Sequence, residues 1–91
     1  MSLPKNPGPY DVLIRPSVTE KTMGQMDRHN SLEFVVRKEA TKTQVKRAVE
    51  EIFTVKVTKV TTRTTKEGKK ALVTFAEDVS AEEIGMRIGV F

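Results

Sequence analysis

The sequence predicts an α+β fold with helices packed on a mainly antiparallel sheet of three to four strands, in the order strand, helix, strand, helix, strand, strand, helix. Three observations carry that expectation. Between Thr41 and Phe53, the apolar residues Val45, Ala48, Val49, Ile52 and Phe53 recur at i, i+3, i+4, i+7 and i+8, which is one stripe along a helix. Runs with strand character, Leu32 to Val36 and Val55 to Thr65, flank this helix on both sides, so it should lie across a sheet. Lys66, Glu67 and Gly68 then separate the second run from Ala71 to Ala76, as a hairpin turn separates antiparallel strands, and Gly68 can take the positive φ such turns need.

Taken in order, Met1 to Pro9 carries three prolines and a glycine with little to bury, and is expected to be a flexible tail preceding a single domain over 10–91. Tyr10 to Arg15 holds Val12, Leu13 and Ile14 before Pro16, a short strand. Ser17 and Glu20 have the spacing of a capping box, opening a helix through about Asp27 with Val18, Met23 and Met26 as its apolar residues, and Asp27 to Ser31 forms the turn after it. Leu32, Phe34 and Val36 alternate with Glu33, Val35 and Arg37, a strand whose more apolar side should meet the central helix. That helix starts at Thr41, which pairs with Gln44 in a second box. Along the next strand Val55 and Val57 share one parity and Val60 takes the other, implying a bulge near Thr58 and Lys59 or a later start. Ser80 and Glu83 make a third box for a terminal helix carrying Ala81, Ile84 and Ile88, weakened by Gly85 and ended by Gly89.

The 91 residues suffice for one small core, and the absence of cysteine excludes disulfides, thiolate metal sites and cysteine nucleophiles. No apolar run reaches membrane-spanning length and no signal peptide is visible, so the expected location is cytoplasmic and the chain is not membrane-inserted. The net charge of +4 is unevenly spread: Met1 to Val36 is neutral, Arg37 to Lys70 carries +7 and Ala71 to Phe91 carries −3. A basic middle beside an acidic end suits a protein that turns one side to a polyanion, and it equally suits a solvated lysine-rich surface.

Catalytic chemistry finds no constellation here. The single histidine, His29, stands in a polar turn, and no second histidine or cysteine completes a metal site. The acidic pairs Glu50 and Glu51, Glu77 and Asp78, and Glu82 and Glu83 read as solvated faces. Arg15, Pro16 and Ser17 join the first strand and helix where a phosphatase-like fold would need a glycine-rich loop. No enzymatic activity, cofactor or small-molecule substrate is expected. The basic hairpin is more informative: Lys56, Lys59, Arg63, Lys66, Lys69 and Lys70 are interleaved with Thr58, Thr61, Thr62, Thr64 and Thr65, the cations and hydroxyls that phosphate and 2′-hydroxyl contacts use. An edge hairpin whose lysines discourage aggregation has the same composition. Ala71-Leu72-Val73-Thr74-Phe75 matches the tail of the core signature of an RNA-recognition motif, but Lys69 and Lys70 replace its glycine and stacking aromatic, leaving shape and backbone recognition of structured RNA.

Arg15-Pro16-Ser17-Val18-Thr19-Glu20-Lys21, Ala40-Thr41-Lys42 leading into Val45-Lys46-Arg47-Ala48-Val49-Glu50, Val55-Lys56-Val57-Thr58-Lys59-Val60 and Gly68-Lys69-Lys70-Ala71-Leu72-Val73 together resemble the large-subunit ribosomal protein twenty-three family, collinearly from about Tyr10 to Val90. The short hairpin and the terminal helix resemble its archaeal form. The resemblance implies a structural constituent of the large ribosomal subunit, active in translation, that binds large-subunit rRNA at the rim of the nascent-peptide exit tunnel beside neighbouring large-subunit ribosomal proteins. It also implies that Glu20, in the segment Thr19 to Lys21, is a docking point for the signal recognition particle and the protein-conducting channel, besides closing its capping box with Ser17. Thr61 replaces an asparagine frequent in the family, Arg63 an often apolar residue, and the turn at Lys66 to Gly68 is too short to line the tunnel. The expected rRNA-binding patch is Lys21, Arg37, Lys38, Lys42, Lys46, Thr61, Thr62, Arg63, Lys66, Lys69 and Lys70. The competing expectation is a protein-docking α+β module without specific RNA binding.

Overall fold

In the computed structural model, which describes residues 8–89, the chain runs α1 (Pro9–Val12), β1 (Leu13–Pro16), α2 (Glu20–His29), β2 (Ser31–Val36), α3 (Lys42–Phe53), β3 (Val57–Thr65), β4 (Gly68–Phe75) and α4 (Ala81–Arg87). The expected order holds from β1 onward, with one helical turn added before it. The strands form one sheet in the order β1-β2-β4-β3, and every neighbouring pair is antiparallel. Since β2 and β3 both flank β4, they run parallel to each other, and α3 makes the crossover between them.

Pairing register sorts the side chains into two faces. Leu32, Phe34 and Val36 of β2 stand beside Val73, Ala71 and Lys69 of β4, and these beside Val60, Thr62 and Thr64 of β3. The apolar members of this set form one cluster with Val45, Ala48, Val49 and Phe53 of α3 and with Val12 of α1. Phe34 and Phe53 meet with ring centroids 6.2 Å apart. Each fully buried valine contributes about 1.5–3 kcal/mol, so Val45, Val49 and Val73 help to hold α3 on the sheet. Thr41 caps α3 as expected: its Oγ1 accepts from the Gln44 amide at 3.2 Å while its own amide donates to Gln44 Oε1 at 2.9 Å. The hairpin loop is Lys66 and Glu67, with Gly68 at φ 123°. β4 starts at Gly68, three residues sooner than expected, and β3 starts at Val57 with a register shift between Val57 and Lys59.

Several expectations at the N-terminal end are corrected. Residues 1–7 of the expected tail lie outside the described residues, and Pro9 belongs to α1. Tyr10 to Val12 are helical rather than extended, because Gly8 and Asp11 exchange bonds: the Gly8 amide donates to Asp11 Oδ2 at 2.9 Å and the Asp11 amide to the Gly8 carbonyl at 3.0 Å. The capping box of α2 is Thr19 with Thr22, not Ser17 with Glu20. Ser17 cannot cap, since its amide still donates to the Glu33 carbonyl at 2.8 Å, extending the β1–β2 ladder, and its side chain is buried. The buried residues of α2 are Thr22 and Met26, while Val18 and Met23, at the staple positions either side of the cap, are left 48% and 38% exposed.

The turn expected over Asp27 to Ser31 shrinks to one residue. α2 continues to His29, Asn30 turns the chain in the left-handed region at φ 52°, and β2 begins at Ser31. Asn30 Nδ2 donates to the carbonyls of Ala76 and Val79 at 3.1 and 2.7 Å, and its Oδ1 accepts from the Ala81 amide at 2.8 Å. One side chain therefore fixes the β4–α4 connection. Glu50, expected to be a solvated acid, is half-buried and its Oε2 accepts from the Val57 amide at 3.1 Å, fastening α3 to the start of β3.

Candidate nucleic-acid interface

The face of the sheet away from α3 carries the other parity: Arg15 of β1, Glu33 and Val35 of β2, Lys70, Leu72 and Thr74 of β4, and Lys59, Thr61 and Arg63 of β3. α2 packs beside β2, and its Lys21 and Gln25 wall one side of this face. Lys59, Thr61 and Arg63 are exposed along the edge strand. Phe34 and Phe75 belong to the helix-covered face, so the open face offers cations and hydroxyls rather than stacking rings.

Three of the cations here are held by acidic partners. Arg63 Nη2 donates to Glu33 Oε2 at 3.0 Å, Lys70 Nζ lies 3.4 Å from Glu67 Oε2, and Arg15 Nη2 lies 3.8 Å from the same oxygen. The Arg63–Glu33 pair bridges β3 and β2 across β4, which no sequence spacing announces. Glu67 in the hairpin turn gathers Arg15 from the far edge and Lys70 from the central strand into one array.

The eleven residues expected in the patch do not form one surface. Lys21, Thr61, Arg63 and Lys70 belong to the open face. Arg37, Lys38, Lys42 and Lys66 gather at the hairpin end of the sheet, where Val36, the last residue of β2, pairs with Lys69. Thr62 and Lys69 have the opposite parity and lean toward the helix layer; Lys69 Nζ donates to the Ala40 carbonyl at 2.6 Å, pinning the loop that leads into α3. Lys46 is exposed on α3, on the far side of the molecule from the open face. Arg15 and Lys59 join the open face although neither was in the expected patch. The alternation of Lys59, Thr61 and Arg63 was the signal available for Lys59; Arg15 depends on the pairing of β1 with β2.

Glu20 is the first residue of α2 and is exposed. Its expected role in closing a capping box falls to Thr22, so its carboxylate is left to the solvent side. Among the described residues no group of three or more His, Asp or Glu side chains could hold a metal ion, and no helix is long and apolar enough to cross a membrane.

The family model of ribosomal protein L23 matches residues 11–83, from α1 into the first turn of α4. The chain belongs to the ribosomal protein L23 family. It is similar to the large ribosomal subunit protein uL23 of Methanobrevibacter smithii, with 47% identity over 90% of this chain and 96% of the relative. The protein of the same name from Picrophilus torridus is 51% identical over 89% and 99%, and that from Methanothermobacter thermautotrophicus 48% identical over 91% and 98%. The L23 match spans every strand, so the open face and the hairpin end both lie inside it.

Proposed function

We propose that this chain, a large-subunit ribosomal protein by family and so a component of cytoplasmic ribosomes in translation, binds large-subunit rRNA through the open face of its sheet and the basic hairpin end. The role is structural, not catalytic. The observation that carries it is the placement of Lys59, Arg63 and the Thr61 hydroxyl, all exposed on the sheet face away from α3, beside Lys21 on the wall that α2 makes, a donor set that suits phosphates and 2′-hydroxyls across a structured RNA, with the buried Lys70 adding charge from beneath. Arg37, Lys38, Lys42 and Lys66 extend the positive surface around the hairpin end, toward a second RNA segment or a neighbouring ribosomal protein. The exit-tunnel rim is the location proposed for this contact, a reading that the L23 family membership supports.

A second surface supports the docking of nascent-chain factors. Exposed Glu20 lies between Val18 and Met23, both partly open to solvent, and Ile14 on edge strand β1 is 49% exposed. An acid among apolar side chains beside an unpaired strand edge suits a protein partner better than RNA. The signal recognition particle and the protein-conducting channel are the partners proposed for it.

Filter binding of the purified protein to large-subunit rRNA across a salt series, against an unrelated structured RNA, tests the first reading. Tight, selective and steeply salt-dependent binding is expected. Equal affinity for both RNAs would reduce the open face to nonspecific charge and favour the protein-docking module. Glu20→Gln should leave the rRNA affinity within about twofold while weakening ribosome association of the targeting factor; unchanged factor association would remove Glu20 from the docking surface.

A further inference from the structure

Glu33 sits in the middle of β2 on the open face, and its side chain is only 7% exposed. One carboxylate oxygen, Oε2, accepts from Arg63. The other, Oε1, is buried without any hydrogen-bond partner among the protein's own groups. A buried carboxylate oxygen left unpaired is costly and calls for a donor from outside the chain. Glu33 also lines a cleft of about 190 Å³ whose other walls include Lys21 and Gln25 from α2, Thr61 and Arg63 from β3, and Leu72 from β4. A second void touching Glu33 measures about 10 Å³, at the lower limit for a single water. The larger cleft is smaller than the roughly 300–1,000 Å³ of sites for drug-sized molecules, which suits a single planar group.

We infer that this cleft receives one unpaired guanine base of the bound RNA, read by Glu33. The inference rests on the proposed rRNA binding and names one base contact within it. An ionised carboxylate only accepts hydrogen bonds. Of the four bases, guanine alone presents two adjacent N–H donors, N1–H and the N2 amino group, on its Watson–Crick edge; uracil sets its N3–H between two carbonyls, and adenine and cytosine place an acceptor beside the amino donor. Oε1 is closed off as the carboxylate stands, so the Glu33 carboxylate turns toward the cleft on binding to present both oxygens to the two guanine donors, with the half-exposed Arg63 following Oε2. Leu72 supplies an apolar floor for the ring, while Lys21 at the rim meets the backbone phosphate of the same nucleotide. The Watson–Crick edge is occupied in a duplex, so the base must come from a bulge or loop.

The test combines two footprints of the full chain on a large-subunit rRNA transcript. Hydroxyl radicals report the backbone contacts, and kethoxal, which modifies guanine at N1 and N2, reports the base. Wild-type protein should protect the backbone and, within that footprint, one unpaired guanine from kethoxal. Glu33→Gln, with its fold checked by circular dichroism, should keep the backbone footprint and lose the guanine protection. On the RNA side, inosine at that position lacks the N2 amino group and should weaken wild-type binding roughly tenfold, the scale of a hydrogen bond to a charged group, with little effect on Glu33→Gln. A backbone footprint containing no protected unpaired guanine overturns the base contact and leaves the rRNA reading standing. Protection or inosine sensitivity that persists in Glu33→Gln overturns the role of Glu33. Absence of any backbone footprint overturns the rRNA reading and this inference with it.

Discussion

Asn30 shows how much a single side chain carries in this fold. It ends α2 in the left-handed region, which asparagine tolerates better than most residues, and uses both ends of its amide to hold the segment from Ala76 to Ala81. Asn30→Ala removes three hydrogen bonds, leaves half-buried backbone groups unpaired and adds strain at positive φ; urea unfolding should show a loss of about 2–4 kcal/mol. Thr54 is the contrasting case. It caps α3 at φ 54° although it is β-branched and exposed. Thr54→Gly relieves the left-handed strain and should stabilise the protein by about 1 kcal/mol in the same measurement. The pattern of Thr, Ser and Asn in the sequence shows where caps can be; which residue at each cap forms the bonds depends on the backbone around it.

At the scale of elements, α2 is the instructive one. Ser17-x-x-Glu20 and Thr19-x-x-Thr22 both offer the chemistry of a cap, and the sheet chooses between them by keeping Ser17 in the ladder with Glu33. Thr19→Ala should therefore cost about 1 kcal/mol of stability, whereas Glu20→Ala should stay within about 0.5 kcal/mol, as for an exposed surface position. Comparable losses for the two would return the cap to Glu20. α3, by contrast, was legible from its stripe and its Thr41–Gln44 box, since both signals lie within one stretch of chain and need nothing from the remainder. The hairpin was legible in the same way, from Gly68 and the run of β-branched residues before it.

The whole molecule sets which cations act together. The sheet order places β4 between β2 and β3, so the open face combines residues distant in sequence: Arg15, Lys21, Glu33, Lys59, Arg63 and Lys70. Lys59→Met should lower rRNA affinity and reduce the slope of log K against log salt by about one unit or less. Lys69→Met should act differently, since its ammonium bonds the Ala40 carbonyl: a loss of stability of about 1–2 kcal/mol by chemical unfolding, with a smaller change in salt slope. An equal fall in slope for the two variants would place Lys69 on the RNA side. At the opposite end of the sheet Asp27, Glu77, Asp78 and Glu82 surround one open groove together with Arg28 and His29, whereas at the hairpin end Glu67 stands among cations. Charge is thus unevenly spread from end to end, an asymmetry that supports the proposed approach to a polyanion.

By itself the sequence determined the α+β class, the order of the elements, the central helix with its cap, the hairpin and the L23 resemblance. These depend on periodicity, local capping chemistry and collinear motifs, all of which are properties of neighbouring residues. Only the tertiary structure decided that Glu33 and Arg63 meet across an intervening strand, that Lys69 turns from the open face to the Ala40 carbonyl, that Ser17 stays in the sheet, and that the expected patch divides into an open face and a hairpin end. The physical reason is the same in each case. Strand order and register set which faces coincide, and these follow from burying α3 against β2, β4 and β3 together rather than from any one stretch of chain.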